Sequence, residues 1–116
     1  MNVKNKMKLW YLAVEMCEQI SDMKKNNQDY SQELGNLHNL ILYYPEIASI
    51  QNNEGENLGM ICAQIGLEDA VIMALANAEA GTQQNNKGYN IGMIAAKNNL
   101  EDATLFAIEN KEANLQ

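Results

Sequence analysis

The chain repeats itself. Residues 52–83, NNEGENLGMICAQIGLEDAVIMALANAEAGTQ, align without a gap on residues 85–116, NNKGYNIGMIAAKNNLEDATLFAIENKEANLQ, and 17 of the 32 paired positions are identical. Near-copies at a period of 33 residues constrain the fold strongly, because a unit of that size cannot bury its apolar face alone and needs a neighbour stacked against it. A weaker third copy lies upstream. There LGNLHNLILYYPEIASIQNN (34–53) falls in phase with 67–86, and Leu34, Leu42, Glu46, Gln51, Asn52 and Asn53 keep their counterparts.

Each full copy reads as two short helices and a loop. Asn57 and Asn90 stand where a side-chain oxygen caps a first helix, predicted over 58–65 and 91–98. Gly59, Cys62 and Ala63, and likewise Gly92, Ala95 and Ala96, give these helices a small-residue surface for close approach. Gly66 and Asn99 match the left-handed position that ends a helix. The second helix opens on Glu68-Asp69 or Glu101-Asp102, where carboxylates complement the helix dipole by about 0.3–1 kcal/mol each. Its inward stripe is expected at Ala70, Val71, Ala74 and Leu75, and at Ala103, Leu105, Ala107 and Ile108. A long return loop follows, with tight turns at Gly55 and Gly88.

Upstream of the third copy, Trp10, Ala13, Val14, Cys17 and Ile20 recur at helical spacing within about Lys4 to Met23, ahead of the polar run 24–32. This segment is expected to cap the open N-terminal side of the stack. The chain thus divides into a cap helix and linker (1–33), a partial repeat (34–51) and two repeats (52–84 and 85–116), all within one domain. The fold class is all-α. Few aromatics and a single proline, Pro45, with no alternating β-branched runs, agree with that reading.

Period, helix lengths and glycine placement resemble the ankyrin repeat over residues 34–116. The resemblance implies a helix-loop-helix solenoid with an irregular N-terminal capping helix. It places the family's turn glycine on Gly55 and Gly88, its paired alanines on Cys62-Ala63 and Ala95-Ala96, and its helix-breaking glycine on Gly66. The family's paired leucines fall on Ala74-Leu75 and Ala107-Ile108. Where the family has Thr-Pro-Leu-His, this chain has Asn57-Leu58-Gly59-Met60 and Asn90-Ile91-Gly92-Met93. The histidine hydrogen bonds that tie neighbouring loops are therefore missing, and a shorter or looser finger is expected.

The family binds partner proteins through its loop tips and the exposed side of each first helix. On this chain those positions are Gln51, Asn53, Glu54, Glu56, Gln64 and Ile65 in one copy, and Gln84, Asn86, Lys87, Tyr89, Lys97 and Asn98 in the next. The strongest candidates for partner contact are Asn53, Glu54, Glu56, Gln64, Asn86, Lys87, Tyr89, Lys97 and Asn98. Tyr89 reads either as an interface anchor or as a ring lying over its own loop. Lys87 and Lys97 against Glu54 and Glu56 form a charge split that orients a partner more than it tightens it.

Other functions find little support. The net charge is −7, and all eight basic residues are scattered lysines, so no clustered basic face for nucleic acid is expected. No apolar run approaches the length that crosses a membrane. The basic N-terminus is followed by Glu15 and Glu18, which favours a helix over a leader peptide. Cys17 and Cys62 match no metal spacing and read as small buried hydrophobes. His38 is the only histidine, Ser21, Ser31 and Ser49 have no histidine nearby, and no phosphate loop is present. No catalysis, cofactor or metal is expected. Abundant asparagine and lysine without arginine match the bias of AT-rich bacterial genomes, and the expected compartment is the cytoplasm, with delivery to a host cell left open. The expected function is a protein-binding module. The alternative is a structural portion of a longer array that self-associates through its C-terminal repeat, where Leu105, Phe106 and Ile108 would leave apolar surface open.

Overall fold

The computed structural model describes residues 2–115, and their side chains as far as residue 110. Asn2 starts the first helix, α1 (Val3–Lys25), by accepting the Asn5 N–H at 2.9 Å, and Lys24 and Lys25 close it at the end favourable to cations. Trp10, Ala13, Cys17 and Ile20 form its buried stripe, while Val14 packs at the margin. The polar run turns the chain through Asn27, at φ 55°, into α2 (Ser31–Tyr43). Asp29 anchors that start by accepting from the Ser31 N–H and hydroxyl, bonds that hold its carboxyl below the ordinary carboxylate range. Pro45 ends α2 and opens a short 3-10 helix, Pro45–Ser49.

The near-copies fold alike from cap to cap. Helices α3 (Leu58–Ile65) and α6 (Ile91–Lys97) begin at Asn57 and Asn90, whose side chains accept from the Met60 and Met93 N–H groups. Both end in the same paired bonds. Leu67 N–H reaches Cys62 O at 3.0 Å across Gly66 (φ 84°), and Leu100 N–H reaches Ala95 O at 2.9 Å across Asn99 (φ 62°). Helices α4 (Glu68–Leu75) and α7 (Glu101–Leu115) then open on their acidic pairs. The return loop expected after Leu75 contains a further helix, α5 (Ala78–Thr82), capped by Asn77 and in phase with the 3-10 helix 33 residues earlier.

Among the described residues every regular element is helical. Helices α1 and α2, α3 and α4, and α6 and α7 pair as hairpins; α1, α3 and α6 form one packed row, and α2, α4 and α7 the other. One core runs through all three hairpins, from Trp10 and Leu37 through Leu58, Met60 and Val71 to Ile91 and Ala103. The radius of gyration, 13.4 Å, is that of an ordinary globular domain of this length. No described helix is long and apolar enough to cross a membrane.

Two expectations for the second helix of the last copy need correction. Leu105 and Ile108 do not join the inward stripe; they are 56% and 50% exposed. Their counterparts Ile72 and Leu75 are covered because another hairpin packs beyond them, whereas no described residue lies beyond α7. The final stretch of that copy, 111–116, falls outside the described side chains.

Candidate functional site

Two fingers project where each unit joins the next. In the first, Asn52 Oδ1 accepts from both Glu54 N–H and Glu56 N–H at 2.9 Å, while Gly55 N–H returns to Asn52 O at 2.9 Å. In the second, Asn85 Oδ1 accepts from Lys87 N–H and Tyr89 N–H at 3.0 Å, with Gly88 N–H on Asn85 O at 2.9 Å. Asparagine favours this geometry because its short amide can bond the backbone two and four residues on. The glycines complete it at φ 77° and 84°.

The expected looseness of the fingers is not found. Gln51 Nε2 donates to Gly55 O at 2.8 Å and to Gln84 O at 3.0 Å, and Asn86 Nδ2 donates to Asn53 O at 3.0 Å. The Asn86 N–H adds a bond to Glu54 O at 2.9 Å. Amide side chains thus tie each finger to residues one period away.

Between the fingers runs an open groove of about 610 Å³. Glu54, Glu56, Gln64, Asn86, Lys87, Tyr89, Lys97 and Asn98, eight of the nine strongest candidates, line it together with Asn85 and Ile94. Glu56 accepts from Gln64 on one wall. On the other, Lys97 Nζ stands 5.8 Å from the centroid of the Tyr89 ring, a cation–π contact that steadies a ring still 43% exposed. Carboxylates therefore face ammonium groups across one trough, over the apolar floor of Ile94.

Several residues fall elsewhere. Asn53 is exposed beside the groove without lining it, and its carbonyl is held by Asn86. Gln51 is spent on the ties between fingers. Ile65 packs against the core, and its carbonyl accepts from Lys24 Nζ at 2.8 Å. Two lining residues escaped the sequence reading. Asn85 was detectable from the shared NNxGxN pattern, and Ile94 from its phase on α6, where it faces inward at 5% exposure.

The residues with chemical capacity are dispersed. His38 lies in α2 with a buried Nε2 that has no hydrogen-bond partner, Ser31 is bound to Asp29, and Ser49 Oγ donates to Glu46 O. Cys17 and Cys62 meet in the core with their sulfurs 3.8 Å apart, and the hydrogen bond between the two thiols, with burial, pushes the Cys62 thiol well up. No group of three or more metal-binding side chains occurs among the described residues. Compared with known proteins, the chain matches no family model, no curated protein and no solved structure.

Proposed function

We propose that this chain is an ankyrin-like repeat module that binds a partner protein, without catalysis, through the groove between its fingers. One observation carries the reading. The two near-copies keep the capping asparagines, the turn glycines and a mostly apolar core, yet change charge and size where they line the groove: Glu54 becomes Lys87, Glu56 becomes Tyr89 and Gln64 becomes Lys97. The changes give the trough two unlike walls, one acidic and one basic with an aromatic, the kind of asymmetry that orients a partner. The 33-residue phase, the hairpin rows and the tied fingers support the ankyrin-like arrangement.

Tyr89 is the proposed anchor, because a rigid, half-exposed aromatic beside a cation contributes most when a partner's pocket removes it from water. The opposed carboxylates and lysines select the partner's direction and register. Affinity capture with the full chain and with a Tyr89→Ala, Lys97→Glu variant tests the proposal. Loss of about 2 kcal/mol or more at Tyr89, roughly thirtyfold in affinity, is expected. Equal capture by both proteins would reject this groove.

A further inference from the structure

The outer side of α1 carries an ordered pattern of its own. Lys4, Lys8, Tyr11, Glu15, Glu18 and Asp22 follow one another at spacings of four and three, and all six are exposed, on the side away from buried Trp10, Ala13, Cys17 and Ile20. A spacing of seven residues per two turns holds such a stripe in line against a neighbouring helix. Charge is sorted along it, with both lysines before Tyr11 and all three carboxylates after it. Apolar surface lies at the middle. Tyr11 is 58% exposed and Trp10 meets its ring edge-on at 5.1 Å, while Leu12 beside it is 42% exposed. The turn at 26–30 sets α1 and α2 antiparallel, which brings exposed Leu42 and Tyr43, at the end of α2, level with Leu12.

Within a single helix this order of charges is unfavourable. Lys4 and Lys8 are like charges four residues apart, as are Glu18 and Asp22, and Glu15 lies three residues before Glu18. Lys4, in the first turn, also opposes the helix dipole. An antiparallel helix with the same stripe offsets these repulsions. With the two centred on Tyr11, Lys4 of one comes level with Glu18 of the other, and Lys8 with Glu15, to within one residue. A protein or membrane surface of a single sign would attract one half of the stripe and repel the other.

We infer that α1 docks against α1 of a second copy of the chain, antiparallel, about a two-fold axis beside Tyr11. Such an axis requires a face complementary to itself, and the sorted stripe meets that requirement: two lysines face two glutamates on each side of the axis. Tyr11 and Leu12 of both copies lie near the axis, and Leu42 and Tyr43 add apolar area at the same level. The groove between the fingers has no lining residue on α1, so the pair keeps two open grooves. A target with two matching segments would then be held by both.

Light scattering on the full chain over rising concentration tests this, with circular dichroism to check that each variant keeps its helices. The parent mass is expected to climb from 13.0 kDa to twice that value. A Lys4→Glu, Lys8→Glu variant makes all four paired positions negative, and a Glu15→Lys, Glu18→Lys variant makes them all positive. Each alone is expected to stay at the single-chain mass. An equimolar mixture of the two is expected to pair again, since every contact then joins opposite charges. A parent that stays at the single-chain mass throughout overturns the inference, as does either variant pairing with itself like the parent, a mixture that fails to pair, or growth beyond two copies.

Discussion

Asn57 donates its side-chain amide to Gln83 Oε1 at 3.0 Å, and Gln83 passes the link on by donating to Ser49 O of the preceding unit at 2.7 Å. The same amide donates to Ala80 O at 3.1 Å, and its oxygen caps α3. Asn57 is fully buried, and among the described residues it is the one buried polar side chain of the core. One asparagine thus starts a helix, closes its own unit and holds the adjoining one.

Replacing Asn57 by alanine therefore removes a cap and both bonds of the side-chain amide, to Ala80 O and Gln83 Oε1. A loss of about 2–3 kcal/mol is expected. Asn90 makes only the capping bond among the described residues, so Asn90→Ala should cost about 1 kcal/mol. Urea unfolding of the two variants measures the difference; equal losses would mean that the buried network adds nothing.

Gly55 and Gly88 occupy equivalent turns with nearly equal φ, but their surroundings differ. A Cβ at Gly55 would lie 2.9 Å from Asn85 Cα and Asn86 N, backbone atoms of the next finger, while at Gly88 nothing lies within 4 Å. Alanine at Gly88 should cost about 1–2 kcal/mol from left-handed strain alone. Alanine at Gly55 adds the clash and should cost distinctly more, since neither backbone can rotate away. Thermal unfolding of both variants reads the contact between units directly.

Both sulfurs in the core are fully buried, and the hydrogen bond that the Cys62 thiol shares with Cys17 is the main reason that it ionises reluctantly, with burial second. A folded-state pKa above the unfolded value contributes stability that is complete below the unfolded pKa and is lost as pH rises toward the folded one. The native chain should resist alkylation at pH about 8 and react fully in urea. Its urea midpoint should fall as pH rises past about 9, and Cys62→Ala, which copies its counterpart Ala95, should flatten that fall.

The sequence carried the helices and caps well because near-copies reveal phase: Asn57, Gly66 and Gly55 could each be checked against Asn90, Asn99 and Gly88. The groove was readable to the extent that loop position implies exposure, which is why eight candidates converge on it. Helix α5 was not, because Asn77-Ala78-Glu79-Ala80 is too short to show a period. The finger ties were missed because amide bonds 33 residues apart depend on stacking distance, which no local pattern encodes. Leu105 and Ile108 were misassigned for a related reason: a helix pattern names the apolar side without saying whether a neighbour covers it.

The partner-binding groove is tested most directly by placing a photo-crosslinking phenylalanine analogue at position 89 and, as a control away from the groove, at exposed Ala76. Irradiation in cells of the source type is predicted to yield a discrete protein adduct from position 89, lost on Lys97→Glu, and none from position 76. No adduct at 89, or the same adducts from both positions, would contradict the account.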